Sequence, residues 1–221
     1  MRITILAATG GVGRQALQQA TAAGHDVTAV VRNPGTLAAD VRTVTADLAE
    51  ADPAALKSAL DGADAVLSCV GPRRKEEHGI VSHGTGVIIE AMRAVVASRL
   101  VVVSGAGVST APTPNRPRPP KREPGAGFLN RYVNTPLARR VLGEHFIDVA
   151  LMEELVRESG LHWTSVRPPL LVDKPLTGTY RTAVGHNVPR GFRVARADVA
   201  HFMLRVVGQP ETIGKAIALA Y

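Results

Sequence analysis

The hydrophobic pattern of the chain alternates between short apolar runs and longer amphipathic stretches. Apolar runs of about four to eight residues are typical of buried strands, and apolar positions that recur every three or four residues are typical of helices. The pattern predicts strands over Arg2–Ala8, Asp26–Val31, Val41–Val44, Ala63–Val70, Leu100–Ser104, His162–Val166 and Ala216–Ala220. It predicts helices over Gly11–Ala23, Pro53–Leu60, Thr85–Ala97, Glu144–Ser159 and Asp198–Val207.

This alternation of strands and helices predicts the fold class α/β. Strands that alternate with helices form a parallel sheet with helices on both faces. Right-handed crossovers bring the carboxyl ends of the strands, and any ligand, to one edge of that sheet. The chain has 221 residues, and chains divide into several domains only above roughly 250–300 residues. We therefore expect one doubly wound domain covering residues 1–221.

Two segments interrupt the pattern. Ala111–Gly127 is rich in proline and in basic residues, and proline is excluded from helix interiors and central strands because it lacks a backbone donor. This segment is either a lid over the ligand edge or a surface insertion. Pro168–Gly185 has the character of a loop or hairpin. We assign the substrate side to residues 106–135 and 168–196.

Charge is the unusual feature of the composition: 26 lysines and arginines against 19 acidic residues give a net charge of +7. The basic residues cluster at 73–75, 116–122 and 139–140, beside no nucleic-acid-binding motif. An anionic small molecule is therefore the expected partner, with no nucleic acid. No apolar stretch reaches the length of a membrane span. The single cysteine, Cys69, indicates a cytoplasmic protein and reads as a buried, inert thiol.

The histidines do not form a metal motif. His78 and His83 are five residues apart, which is not the spacing of a helical zinc pair, so we expect no metal. His201 lies in an apolar helix and is expected to pack there. His145, near a helix start, is a candidate for substrate contact, with a plain surface position as the alternative.

A glycine-rich turn lies between the first strand and the first helix, with the sequence Thr9-Gly10-Gly11-Val12-Gly13. Glycines let the backbone approach a diphosphate closely, and a helix start offers it unpaired N–H groups. The strand–turn–helix context indicates dinucleotide binding, with a tight structural turn as the alternative. The second strand ends at Arg32 rather than at an acidic residue. Because arginine binds a 2′-phosphate, we predict NADPH rather than NADH.

Several motifs together resemble a known family. Thr9-Gly10-x-x-Gly13 and Val31-Arg32-Asn33-Pro34 are similar to the atypical short-chain dehydrogenase/reductase group. The carboxyl-terminal half resembles the biliverdin-IXβ reductase/flavin reductase family through Arg157-Glu158-Ser159-Gly160-Leu161, Arg167-Pro168-Pro169, Pro175-Leu176-Thr177-Gly178-Thr179-Tyr180 and His201-Phe202-Met203-Leu204-Arg205. The resemblance implies a Rossmann-type fold, NADP(H) as the cofactor, and a flavin (FMN or FAD) or linear tetrapyrrole as the substrate.

The resemblance also implies roles for particular residues. Asp47 and Leu48 would contact the adenine, and Val70 and Gly71 would line the cofactor with Arg73 close by. Ser104 and Pro168 would flank the nicotinamide, which makes Ser104 the candidate catalytic residue. The substrate-side candidates are Arg116, Arg118, His145 and Leu170, the last of which stands where the reductase carries histidine.

The sequence departs from the family pattern at the substrate side. Ala7 stands where the glycine motif normally opens with glycine, and Gly105-Ala106 replaces the expected hydroxyl residues. The Tyr-x-x-x-Lys pair is missing, because Tyr132 is followed four residues later by Pro136. Carbonyl reduction by a tyrosine acid is therefore disfavoured.

Three functions stay open. The first is an NADPH-dependent reductase that passes hydride to a planar conjugated acceptor, such as a flavin, tetrapyrrole or quinone. The second is an NADP-binding sensor without turnover. The third is a tailoring reductase or isomerase with its own substrate.

Overall fold

The computed structural model describes residues 1–37, 40–50, 53–72, 77, 79–121 and 135–221. The strands in these ranges are β1 (Arg2–Leu6), β2 (Asp26–Val31), β3 (Arg42–Thr45), β4 (Ala65–Ser68), β5 (Arg99–Val103), β6 (His162–Arg167), β7 (Leu170–Val172), β8 (Arg181–Val184), β9 (Arg193–Ala195) and β10 (Lys215–Ala220). The α-helices are α1 (Gly11–Ala22), α2 (Pro53–Leu60), α3 (Ile80–Ala94), α4 (Thr135–Glu158) and α5 (Arg196–Val207).

The main sheet has the strand order β3-β2-β1-β4-β5-β6-β10-β8. Its neighbouring strands are parallel except for β8, which runs antiparallel to β10. This confirms the predicted mainly parallel α/β sheet. The chain leaves the β3 edge and returns to place β4 beside β1, so the strand order reverses between β1 and β4. Ligands of doubly wound sheets bind in the crevice at such a reversal.

Helices cover both faces of the sheet, as the sequence pattern predicts. Ile3 and Ile5 of β1 pack into one buried cluster with residues of α1 and α5. Leu6, which points to the opposite face, packs into a second cluster with α2, α3 and α4. Successive residues of a strand point to opposite faces, so a strand of the central sheet needs apolar residues at nearly every position.

Two helices begin earlier than predicted. α3 begins at Ile80 rather than Thr85, because the Asp148 carboxylate accepts hydrogen bonds from the N–H groups of Val81 (3.0 Å) and Ser82 (2.9 Å). That cap comes from α4 and leaves no local signal in the sequence. α4 begins at Thr135 rather than Glu144, and the proline at its second position is typical of a helix start.

The segment 168–185 is not a hairpin, and that alternative is wrong. β7 pairs in parallel with β9 as a separate two-stranded sheet, whereas β8 pairs with β10. Between them, the N–H groups of Thr177 (3.0 Å) and Gly178 (2.8 Å) donate to the fully buried Asp198 carboxylate on α5. The two strands therefore take partners further along the chain rather than each other.

The described part of the proline-rich segment runs along α4. The Thr113 hydroxyl donates to Glu154, and the Asn115 amide donates to Glu158 at 3.0 Å. Glu158 ends α4 just before β6 begins, so it lies toward the amino edge of the sheet, opposite the ligand edge. This course favours a surface insertion over a lid for residues 112–121. The remainder of the segment, residues 122–127, lies outside the described residues.

Candidate functional site

The turn after β1 brings the backbone of α1 unusually close to the strand. Ala7 adopts a left-handed conformation with φ of 55°, and the Gly10 N–H donates to the Ala7 carbonyl at 2.9 Å. A Cβ on Gly13 would lie 2.2 Å from that same carbonyl oxygen. Glycine is therefore required at position 13, and α1 starts directly behind the end of β1.

The start of α1 is suited to an anion. Gly10 occupies the N-cap in an extended conformation, and among the described residues no side chain caps the helix. The first turn also carries no acidic residue. The unpaired N–H groups and the positive end of the helix dipole thus stay available to a phosphate.

A small groove, open to solvent, adjoins this turn. It lies at the carboxyl ends of β1, β2 and β4, beside the reversal of strand order. Its lining includes six of the predicted cofactor-binding residues, namely Thr9, Arg32, Asp47, Leu48, Val70 and Gly71. The other lining residues are Ala7, Val30, Val31, Ala46, Glu77 and Ile80. Arg73 lies outside the described residues.

Arg32 has an acidic neighbour that the sequence analysis missed. Its guanidinium Nη1 lies 3.1 Å from Glu77 Oε1, and the two side chains are 38% and 24% exposed. Glu77 lies nine residues after the end of β4, and no sequence motif indicates that it contacts Arg32. The groove therefore presents a cation whose charge is partly balanced by a carboxylate.

Asp47 and Leu48 form the wall of the groove beyond β3. Asp47 Oδ1 accepts from the N–H of Ala49 at 2.9 Å, which folds the chain back after the strand. Leu48 packs on α3, where a Cβ on Gly84 would lie 3.2 Å from the Leu48 Cβ. An apolar side chain beside a carboxylate is compatible with an adenosine that packs against this wall of the groove.

Ser104, the candidate catalytic residue, lies in a buried polar network. Its hydroxyl donates to Glu153 Oε1 at 2.7 Å, and the same oxygen accepts from Ser165 (2.7 Å) and from Arg167 Nε (2.8 Å). Arg157 Nη2 reaches the other carboxylate oxygen at 2.8 Å. Burial alone raises the pKa of Glu153, but the hydrogen bonds and charges of these partners outweigh burial and lower the pKa to about 2. The Ser104 hydroxyl proton is thus committed to a carboxylate.

The substrate-side candidates are not brought together in one cavity. The buried Pro168 accepts at its carbonyl from the Ala106 N–H at 2.9 Å, and Leu170 is 68% exposed at the start of β7. His145 is half-buried on α4, and burial lowers its pKa although Asp148 opposes the shift. Arg116 and Arg118 belong to the segment along α4 and stand outside the groove lining.

Three further predictions concern the cysteine, metal binding and membrane spans. Burial raises the pKa of the Cys69 thiol to about 12, as expected of an inert cysteine. Within the described ranges, no group of three or more metal-ligating side chains occurs. None of the helices described is long and apolar enough to cross a bilayer.

Comparisons with known proteins agree with this architecture. The family of NAD(P)H-binding proteins matches residues 7–210. An uncharacterized protein of Bacillus subtilis, YwnB, is 28% identical over 220 residues, covering 96% of this chain and 94% of that one. A Streptococcus pneumoniae protein, provisionally named NADH-flavin reductase, is 25% identical with a TM-score of 0.72, covering 100% of this chain and 99% of that one. The anaerobillin reductase ChuY of Escherichia coli shares the fold, with 22% identity, a TM-score of 0.76, and coverage of 100% and 97%.

The sheet and its glycine turn define a Rossmann-type dinucleotide-binding protein. The match over most of the chain shows that it belongs to the NAD(P)H-binding family. The expected resemblance to flavin and bilin reductases is confirmed at the level of family and fold.

Proposed function

We propose that this chain is an NADPH-dependent reductase that passes hydride to a planar conjugated acceptor, a flavin, a linear tetrapyrrole or a quinone. The observation that carries the proposal is the position of Arg32. Its guanidinium lines the same groove as Thr9 of the glycine turn. A dinucleotide with its diphosphate at the start of α1 would extend its adenosine ribose toward the end of β2, where Arg32 lies.

The residues present fit such a cofactor. A Cβ at Gly13 would fill the space in which α1 approaches the turn, so the cradle depends on the absence of a side chain. The N–H groups at the start of α1 would hold the diphosphate, and Arg32 would hold the 2′-phosphate. When bound, a reduced nicotinamide supplies two electrons and one hydrogen as hydride.

Among the described residues, Ser104 would help to orient an acceptor rather than serve as an acid. The Ser104 hydroxyl donates to Glu153, whose pKa of about 2 keeps that carboxylate ionised. A proton for the reduced acceptor would therefore come from solvent. This arrangement favours acceptors such as flavins, which take hydride at nitrogen and need little help from an acid.

We place the acceptor beside the carboxyl ends of β5 and β6. The contact between Ala106 and Pro168 joins the chain after β5 to the chain after β6. Leu170 and Phe192 are both exposed there, and the Leu170 N–H donates to the Phe192 carbonyl at 3.3 Å. These apolar side chains would provide an apolar surface against which a conjugated ring could pack.

Turnover is tested by following nicotinamide absorbance with a panel of flavins, quinones and linear tetrapyrroles. We expect NADPH oxidation with at least one member of the panel. Tight NADPH binding with no turnover on the whole panel would contradict the reductase.

That second outcome would support the NADP sensor. The observation that favours a sensor is again the hydrogen bond of Ser104. Its hydroxyl donates to Glu153, so it does not offer its proton to a substrate. The discriminating result is a structural or thermal response to NADPH without consumption of it.

Cofactor preference is tested at Arg32 and Glu77. Loss of a charge-assisted phosphate contact is worth roughly 1.5–3 kcal/mol, so Arg32→Ala should raise the NADPH KM by about ten- to a hundredfold with little change for NADH. Glu77→Gln should lower the NADPH KM, since it removes the carboxylate that competes for Arg32. Arg42→Ala, on the neighbouring β3 and outside the groove lining, is the matched control. Equal effects of Arg32→Ala on both cofactors would refute the assignment.

A further inference from the structure

A second arginine lies across the start of α1. Arg196 is the first residue of α5, and a Cβ built on Gly11 would lie 2.6 Å from its Cδ and 2.7 Å from its Nε. Gly11 is the first residue of α1 and is exposed. The arginine side chain therefore occupies the space that a larger residue at position 11 would fill, on the solvent side of the glycine turn.

The start of α5 is fixed against the body of α1. Gln19 of α1 donates through its side-chain amide to the Ala197 carbonyl at 2.9 Å. Ala197, Ala200 and Met203 of α5 are buried. The backbone that carries Arg196 is thus fixed against α1, and its side chain extends over Gly11 at the start of that helix.

The guanidinium of Arg196 forms an ion pair with an exposed carboxylate. Its Nη1 lies 2.8 Å from Asp173 Oδ1, in the loop after β7. The Asp173 side chain is 87% exposed and the Arg196 side chain 29%. An ion pair with so exposed a member stabilises a protein little, because water screens the charges. A more highly charged anion at the same place would displace the carboxylate.

We propose that Arg196 is a cofactor-binding residue that contacts the diphosphate of the dinucleotide and exchanges Asp173 for it on binding. The inference rests on the proposed function and adds a residue to the same site. Arginine suits this role because its planar guanidinium bonds two phosphate oxygens at once. In this arrangement the diphosphate lies between the N–H groups of α1 and the guanidinium from α5.

The exchange predicts opposite effects for the two members of the ion pair. Arg196→Met should weaken NADPH binding about tenfold or more, as loss of a charge-assisted contact does. Asp173→Asn should tighten it by about two- to fivefold, because the competing carboxylate is gone. In the Arg196→Met background, Asp173→Asn should have no further effect. A purely structural ion pair would instead weaken binding from either side.

The experiment is calorimetric titration of the full chain with NADPH and with ADP-ribose, which keeps the adenosine, the diphosphate and the second ribose. Arg196→Met should weaken both ligands by a similar factor, whereas Arg32→Ala should weaken NADPH alone. Arg193→Met removes the same charge from an exposed side chain at the start of β9 and should change neither. Circular dichroism checks that each variant is folded.

Two results would overturn the inference, and they are distinguishable. If the wild-type chain binds NADPH and the folded Arg196→Met variant binds it equally well, Arg196 does not contact the diphosphate while the proposed function stands. If the wild-type chain binds neither ligand, the proposed function fails and the role of Arg196 fails with it.

Discussion

Around β1 to β4 the described interior holds no charged side chain, whereas around β5, β6 and α5 it contains several. Among the described residues, the buried charged side chains all come from residue 99 onward: Arg99, Asp148, Glu153, Arg167 and Asp198. The half that carries the candidate groove is thus held mainly by apolar burial. The other half is held by buried polar contacts between residues distant in sequence.

The buried charged side chains of the second half bind polar groups of elements that are distant in sequence. The Arg99 guanidinium donates to the carbonyls of Val206 (2.6 Å) and Val207 (3.2 Å) at the end of α5, and burial lowers its pKa to about 10. Asp198 holds the loop between β7 and β8. Such contacts fix the relative position of the elements that they join. They are costly to break, because removal of one partner leaves a buried charge with neither a partner nor water to solvate it.

The largest effect is therefore expected at Glu153. Glu153→Ala leaves Arg167, which is 5% exposed, without its carboxylate, and breaking a buried pair costs about 3–5 kcal/mol. Glu158→Ala, on the exposed end of the same helix, should cost less than about 1 kcal/mol. Urea unfolding measures both. A Glu153→Ala cost no larger than that of the control would contradict the contrast between the two halves.

Acid should weaken the protein through the same residue. The pKa of Glu153 is lowered from 4.5 to about 2 in the folded state, so its contribution is complete above the unfolded pKa. That contribution, about 3 kcal/mol by linkage, is lost as the pH falls from about 4.5 toward 2. The measurement is the free energy of unfolding against pH for the wild type and Glu153→Gln. Identical slopes below pH 4.5 for the two proteins would contradict the assignment.

In the half that carries the candidate groove, the sensitive point is the backbone of the turn after β1. Gly13→Ala would place a Cβ 2.2 Å from the Ala7 carbonyl oxygen, and overpacking of this kind costs about 1–3 kcal/mol. Displacement of α1 should also abolish NADPH binding. Gly11→Ala is the control for stability, since its Cβ meets the movable Arg196 side chain. Thermal unfolding and NADPH titration distinguish the variants, and a Gly13→Ala protein that binds NADPH normally would break the account of the turn.

A smaller, stabilising change is expected at Ala7. With φ of 55°, the alanine is in a region that costs a non-glycine residue roughly 1–2 kcal/mol. Part of the relief is offset by the greater freedom of glycine in the unfolded chain. Ala7→Gly should therefore raise the free energy of unfolding by about 0.5–1 kcal/mol. Val96→Gly, at φ of 61° and far more exposed, tests the same relief outside the groove. A destabilised Ala7→Gly protein would show that the turn is not strained.

The contrast also explains how much of the fold the sequence predicts. The bounds of β2 (Asp26–Val31) and α2 (Pro53–Leu60) are predicted as observed, because apolar burial leaves a periodic pattern. The sequence does not predict the start of α3 or the partners of β7 and β8, because these depend on contacts between distant residues, such as the Asp148 cap of α3. A carboxylate that acts across the fold leaves no pattern along the chain.

The site divides in the same way. Thr9 and Arg32 follow from the rule that parallel strands bring their carboxyl ends to one edge. Asp47, Leu48, Val70 and Gly71 follow from the family resemblance, and all six line one groove. Glu77 and Arg196 were missed because their contacts with Arg32 and Gly11 join distant parts of the chain. The cofactor roles of these residues stay predictions.

Calorimetric titration of the folded wild-type chain with NADPH and with NADH tests the central claim most directly. We predict that both bind at the start of α1 and that NADPH binds about ten- to a hundredfold more tightly, since a charge-assisted phosphate contact to Arg32 is worth that much. Equal affinities would contradict the role of Arg32. The absence of binding by either nucleotide at millimolar concentration would contradict the whole account of the groove.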